Sequence, residues 1–430
     1  MLWRTVFRSS SASWMAPLLA GFVALLLQDD LTSGVTQGYW PSALGAATFA
    51  LAFVAPACAA AGAWEGSRLS RGHVASWAPA RSGIGIALPL LLPVFTLGIV
   101  GMAVAASLTI AVTGPGSGLP PLGVALMWLI ILVAHGMAGF LLGKRLPLVV
   151  ATPLALILSF VLTAYPAALE PLWLRHMVTG GASSCCALDQ SLDWRAAASA
   201  TVLALGIIAA AALALTALRR RTRTVAATGL LVAGLLGSGG LAYGLPADPA
   251  TARSADELQC AGSDPRVCLW PELATHAEMI RQNASEARKR LQRAGIVVPR
   301  ELTMQDRPGP QALFIGAWPQ PTPSVVRTGV GTALLPAEPP TCAQNGDPFP
   351  GETAFGPVAS WLALTAGADK EETAARYGEG ETAVAQRVMR ASAAQQLTWF
   401  RHNNQALRNC TSKPSAVPPA STTRSAKASR

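Results

Sequence analysis

The chain has 430 residues, 51% of them hydrophobic and only 13% charged, with a formal net charge of +10. Soluble domains carry roughly one-quarter charged residues, so a wholly water-solvated protein is excluded. The charge is uneven: residues 1–245 hold 13 Lys/Arg and 6 Asp/Glu, leaving 20 and 17 for residues 246–430. Composition therefore divides the chain near Pro246.

The first part contains apolar runs of the length that crosses a hydrocarbon core, about 20 residues of helix. They fall at approximately 13–28, 42–63, 84–112, 122–143, 147–166, 195–217 and 225–244. In lipid the backbone has no water to bond, so each run must be helical. The run from Trp14 to Leu27 is the weakest, because Gln28 and Asp29 stop it early. A signal peptide is the alternative there, but no A-x-A-like site follows at once and six further runs come after it.

Charge orders these spans. With the N-terminus inside, the inner segments carry Arg4, Arg8, Arg68, Arg71, Arg81, Lys144, Arg145 and Arg219 to Arg223, while the outer loops carry Asp29, Asp30, Glu170, Asp189 and Asp193 against Arg175 and Arg195. This is the positive-inside pattern, and an odd number of spans puts residues 246–430 outside the cytoplasm. The basic balance reflects membrane anchoring, and no nucleic-acid partner is expected. Six of the seven cysteines (Cys185, Cys186, Cys260, Cys268, Cys342 and Cys410) fall on the outer side, where disulfides form. The expected pairs are Cys260–Cys268, a local loop, and Cys342–Cys410, a long closure. Adjacent Cys185 and Cys186 are expected to stay free or to pair elsewhere. Without C-x-x-C spacing or a histidine pair, zinc is disfavoured.

In the outer part, Pro271 suits a first helical turn. Leu273, Ala277, Ile280, Ala284, Ala287, Leu291 and Ala294 then recur at steps of four and three, predicting an amphipathic helix that ends at Gly295. Glu278, Arg281, Gln282, Glu286, Arg288 and Lys289 form its other face. Strands are expected at Ala312 to Trp318 and Val325 to Leu335, and helices at about 357–366 and 381–408. The expected fold is thus an all-α membrane domain of about seven spans (1–245), a small mixed α/β domain (246–411) and a disordered tail from Ser412.

Chemistry is sparse. Gly139 to Arg145 lacks the spacing and the Ser/Thr of a phosphate-binding loop, so Gly139 and Gly143, like Gly240 and Gly244, read as small positions where helices approach closely. His135 is the one ionisable candidate inside a span, where it can stay neutral and bond a neighbouring helix. His276 and Glu278 are two apart and form no zinc motif, Ser360 is in no nucleophile elbow, and His402 stands alone. No catalytic residue, cofactor or metal is assigned.

A short basic segment, Met1 to Ser13, precedes the first span. A connection from Trp64-Glu65-Gly66-Ser67-Arg68 to Arg81 joins spans two and three, and a long connection, Pro166 to Trp194, joins spans five and six. On these features the chain resembles permeases of the ABC-2 exporter type. The segment Val267-Cys268-Leu269-Trp270-Pro271-Glu272 and the Ala/Gly/Arg-rich style are similar to actinobacterial membrane proteins that accompany ABC ATPases and carry an extracytoplasmic C-terminal domain. The resemblance implies a cytoplasmic ABC ATPase partner, a second permease-like subunit, coupling through Glu65, Arg68 and Arg71, and an outer gate including Pro171, Leu172, Trp173 and Leu174. Span seven and the outer domain go beyond the six-span pattern. The rival expectations are a membrane-anchored binding or sensory protein and an envelope hydrolase.

Overall fold

Apolar runs in the first half fold as helices that bury small residues against one another and turn larger ones outward. The computed structural model describes residues 3–28, 35–72, 82–114, 116, 119–306, 308–316, 318, 321–344 and 346–418. The chain divides into two units, Met1–Thr251 and Ala252–Arg430. The expectations for Asp29, Asp30, Arg81 and residues 419–430 lie outside the described residues.

Unit 1 contains helices α1 (Trp3–Ser9), α2 (Ser11–Leu26), α3 (Trp40–Thr48), α4 (Leu51–Arg71), α5 (Gly83–Thr113), α6 (Leu122–Gly143), α7 (Leu148–Ala164), α8 (His176–Thr179), α9 (Trp194–Ala214) and α10 (Arg220–Ala242). Five of these, α5, α6, α7 with its 3-10 extension to Ala168, α9 and α10, are long and apolar enough to cross a membrane, and α3 with α4 makes a sixth if the bent pair is one span. The run expected at 42–63 is thus two helices that meet at 48°. At the junction, hydrogen bonds tighten to the i−3 pattern, with Phe49 N donating to Ala46 O and Ala50 N to Ala47 O, both at 3.1 Å, and such a change of ladder bends a helix. Helix α2 has 16 residues, a rise of about 24 Å.

The core of unit 1 gathers Val54, Cys58, Leu91, Val94, Met127 and Ile131 from α4, α5 and α6. Two seams draw helices closer than large side chains allow. Helices α4 and α6 run parallel, with Gly139 facing the Ala59 carbonyl, Gly143 that of Ala63, Gly62 that of Gly136 and Gly66 that of Phe140; a Cβ at any of these would overlap backbone. Ser67 Oγ then donates to Gly143 O at 3.0 Å. Helices α9 and α10 meet at Gly206 and Gly234 and at Ser199, whose hydroxyl lies 2.9 Å from that of Ser238. The close approach expected of Gly240 and Gly244 is corrected: a Cβ on either meets nothing within 4 Å, because the α9 contact lies on the face carrying Gly234 and Ser238. Leu126, Leu156, Ile157, Leu235 and Leu236 are exposed on the outward faces, as lipid-facing side chains are.

In unit 2 the sheet has strands β1 (Gln259–Ala261), β2 (Arg266–Leu269), β3 (Glu301–Thr303) and β4 (Ala312–Phe314) in that order. The first pair is antiparallel, with Cys260 opposite Cys268, and the other two pairs are parallel. Helix α11 (Ala277–Arg293) crosses between β2 and β3 and buries Ile280, Ala284, Ala287 and Leu291. Arg288, expected on its solvent face, is buried instead: it pairs with Asp264 at 2.7 Å and donates to Pro299 O at 3.0 Å. Helices α12 (Pro323–Thr332), α13 (Phe355–Ala366), α14 (Lys370–Tyr377), α15 (Glu379–Met389) and α16 (Ala393–Ala406) complete the unit. The strand expected at Val325 to Leu335 is therefore helical. Thr322 caps it by accepting from Val325 N at 3.1 Å, Pro323 sits in its first turn, and Val326 and Val330, one turn apart, are buried. The helix expected over 381–408 is broken near Ser392, which forms a capping box with Gln395. Beyond Ser412, residues 412–418 form no regular element, although Ser415 N donates to Asn403 Oδ1 at 3.0 Å.

Candidate functional site

The two ends of unit 1 differ in chemistry. One end collects cations from separate elements: Arg8 in the last turn of α1, Arg71 at the end of α4, Lys144 and Arg145 after α6, and Arg219 to Arg221 at the start of α10, all exposed. Burial, then the charges of Arg145 and Arg223, press Lys144 below the ordinary lysine range. Ser70 Oγ donates to Lys144 O at 3.1 Å, tying α4 to the turn after α6.

Glu65 and Arg68, both expected on a coupling surface, occupy this end with different exposures. Glu65 is 1% exposed. Its Oε1 accepts from Ser10 Oγ and Ser11 N, each at 3.0 Å, where the chain passes from α1 into α2. Its Oε2 pairs with Arg68 at 2.9 Å, and the same guanidinium donates to Ser9 O at 2.6 Å. Placing Glu65 on a surface is thus corrected: a carboxylate six residues before the end of α4 satisfies the open N-terminus of α2. Arg68 is half-exposed and Arg71 exposed.

The opposite end is laced by the connection between α7 and α9, which folds into short 3-10 helices at Tyr165–Ala168, Leu172–Arg175 and Ala182–Ser184 around α8. The left-handed pair Gly180 and Gly181, φ of 70° and 59°, turns the chain back after α8. His176, fully buried, donates from Nε2 to Pro246 O at 2.7 Å. Asp193 caps α9 by accepting from Arg195 N at 2.8 Å, and its own N–H donates to Pro249 O at 2.7 Å. Of the expected gate residues, Pro171 and Leu172 are exposed, Leu174 is half-buried, and Trp173 packs edge-on against Tyr243 at 5.9 Å.

Cysteine placement is specific. Cys260 and Cys268 are bonded as expected across the β1–β2 pair, and Cys342 and Cys410 close the long loop. Cys185 and Cys186, expected to avoid each other, are bonded to each other. The other cysteine of unit 1, Cys58, is buried within α4 and offers no partner at that end. Gly45 on α3 packs against the Cys185 and Ala182 carbonyls.

Beside this bridge lies a cavity of about 570 Å³ that Pro41, Gly45, Val124, Ala182, Leu192 and Val202 help to line. It draws on the first two turns of α3, the first turn of α6 and the first nine residues of α9, Trp194 to Val202. Sequence reading missed it, because its walls are apolar residues with no spacing to distinguish them from any other helix contact.

Other candidates carry no assembled chemistry. His135 Nδ1 lies 2.7 Å from Ser159 Oγ on α7, a helix-to-helix bond. Ser360 is fully buried, and its hydroxyl has no partner among the described residues. His276 is exposed beside Thr275, and His402 Nε2 lies 3.0 Å from Lys413 O. Among the described residues, no group of three His, Cys, Asp or Glu could hold a metal ion. In the segment Val267 to Glu272, Trp270 is buried with Nε1 donating to Met304 O at 3.1 Å, and Glu272 accepts both Arg253 nitrogens at 2.9 and 3.0 Å. That segment fastens the start of unit 2.

A family model described as a domain of unknown function, DUF7224, matches residues 267–410. The match lies within unit 2 and runs from the start of the Trp270 segment to Cys410. No curated protein and no solved structure matches the chain.

Proposed function

We propose that the chain is the permease-like membrane subunit of an ABC exporter, driven by a separate cytoplasmic ATPase and paired with a second such subunit. In this reading α2 is the first span and the bent α3–α4 pair the second. Helices α5, α6, α7, α9 and α10 supply the other five, with the basic end cytoplasmic and unit 2 outside. The observation that carries it is the order of elements. A short helix is held at the polar end of the second span, a connection follows Arg71, and a connection of short helices between α7 and α9 covers the opposite end. Clustering of the cations at one end of unit 1, with the Cys185–Cys186 bridge in the connection at its other end, supports the orientation. Arg71 and the exposed part of Arg68 are then the surface that a partner touches, whereas Glu65 acts through α1 and α2.

The test is mild-detergent extraction of the tagged protein from its own membranes, with co-purifying proteins identified and ATPase activity measured. An ATPase that follows the wild type and is released by Arg71→Glu, while the melting temperature is unchanged, supports the reading. Absence of any nucleotide-hydrolysing partner removes it. The second reading, a membrane-anchored binding protein without transport, is favoured by the cavity at the Cys185 end, which needs no ATPase to be occupied.

A further inference from the structure

We infer that the cavity between α3, α6 and α9 is a binding site for one hydrocarbon chain of an amphiphile. Its volume, about 570 Å³, lies within the range of small-molecule sites. Among the described residues, no Asp, Glu, Lys, Arg or His contributes to its lining. The two hydroxyls that do are already engaged: Ser191 shares a hydrogen bond with Thr251 at 3.0 Å, and Thr201 donates to Ala197 O at 2.8 Å. A water held there needs two to four polar partners, which the Pro, Ala, Val and Leu side chains that make up most of these walls do not supply, and an empty space forfeits the dispersion contacts of every atom lining it. Hydrocarbon satisfies both conditions.

Position selects a chain that enters from the bilayer boundary. Along α9 the lining runs from Trp194 to Val202, a depth of about 12 Å at about 1.5 Å per residue. Trp194 is 69% exposed and directly follows the helix cap Asp193, where an aromatic ring marks the interface between hydrocarbon and headgroup. A polar headgroup would therefore stay at the mouth while the chain lies among Val124, Leu192, Ala198 and Val202. The Cys185 end of the wall is held by Gly45, whose lack of a side chain lets α3 reach the backbone of the connection. The site belongs to this chain alone and stands whether or not an ATPase partner exists.

The test uses the full-length protein in phospholipid nanodiscs containing a phosphatidylglycerol with a diazirine in its palmitoyl chain. A parallel arm uses diazirine-bearing palmitic acid. After irradiation, adducts are mapped by peptide mass spectrometry, with the outward face of α10 from Leu230 to Leu236 as the reference for bulk lipid. The expected result is adducts concentrated on residues 121–124 and 194–202. Val202→Trp, which fills the space, should lower them about tenfold against the α10 reference, a change worth about 1.4 kcal/mol. Ala198→Phe is run beside it, and the variant that elutes as wild type on size exclusion is the one read. Concentration in the phospholipid arm identifies a bilayer lipid as the source, and concentration in the palmitic acid arm alone identifies a free acyl chain. Adducts of equal density on α9 and α10, or adducts that neither variant reduces, would overturn the proposal.

Discussion

Replacing Glu65 by Ala should free the N-terminal helices from the bundle. The carboxylate accepts from Ser10 Oγ and Ser11 N at 3.0 Å and is almost fully buried. Hydrogen bonds to a charged group contribute about 1.5–3 kcal/mol each, and a stranded buried donor costs about 1–3 kcal/mol. The Ser10 hydroxyl oxygen still accepts from Ala12 N, but its O–H loses the acceptor it has in Glu65. Arg68 is 37% exposed and regains water, so its pair adds no more than about 1 kcal/mol. The total is about 3–5 kcal/mol, the range seen when one partner of a buried polar cluster is removed. Glu65→Gln keeps the acceptor at Oε1 and loses only the ion pair, so it should cost about 1 kcal/mol. The assay is maleimide labelling of a cysteine placed at Val6, which is 8% exposed in α1. The free native cysteine, Cys58, is fully buried. Labelling should be slow in the Val6→Cys parent, faster by about two orders of magnitude with Glu65→Ala, and little changed with Glu65→Gln. Equal rates in parent and Ala variant would refute the assignment of Glu65 as the clamp on α1 and α2.

Three further outcomes follow from the packing. Gly143→Leu should destabilise unit 1 by about 3 kcal/mol or more, read as loss of a monodisperse size-exclusion peak, whereas Gly240→Leu, with open space around it, should elute unchanged. Replacing Cys342 and Cys410 together by Ser opens a loop with a sequence separation of 68 residues and should cost about 4 kcal/mol, against about 2.5 kcal/mol for Cys260 and Cys268, measured as protease susceptibility of unit 2. Burial, foremost, holds His176 below its ordinary value of 6.5. The unfolded chain therefore takes up the proton first, and stability is present above 6.5 and declines as pH falls through it. The melting temperature should drop between about pH 7.5 and about pH 5.5, and His176→Gln should flatten that dependence.

The membrane helices were legible because a hydrophobic run of sufficient length has one folded solution in lipid. Helix α11 was legible because Ile280, Ala284, Ala287 and Leu291 keep its period. Errors arose where a local preference competed with a signal nearby. Val325, Val326 and Val330 suggested a strand, yet Thr322 and Pro323 supplied a helix start that the β-branched content obscured. The strands of unit 2 at residues 259–261, 266–269 and 301–303 are too short for alternation to register. Arg288 lies on the polar stripe of its helix, and its burial depends on Asp264 and Pro299, which arrive from other elements. Glycine spacing marked Gly139 and Gly143 but could not separate them from Gly240 and Gly244, because spacing does not reveal which face meets a neighbour. Glu65 was picked out only through the resemblance to exporter permeases, while its contacts depend on Ser10 and Ser11, more than fifty residues earlier in the chain.

The seam between α4 and α6 has a mechanical consequence. Glycine and alanine bring two helix backbones into contact at four successive points, so neither helix can slide without a Cα riding over a carbonyl. The pair is a single beam in which relative travel is blocked at every turn of the contact. Compliance must reside elsewhere: in the joint at Phe49 and Ala50, where the hydrogen-bond ladder tightens, and in α10, which leans chiefly on α9. A motion begun near Arg71 would tilt the beam as a whole, and its far end would swing α3, the helix that carries Gly45 and one wall of the apolar cavity.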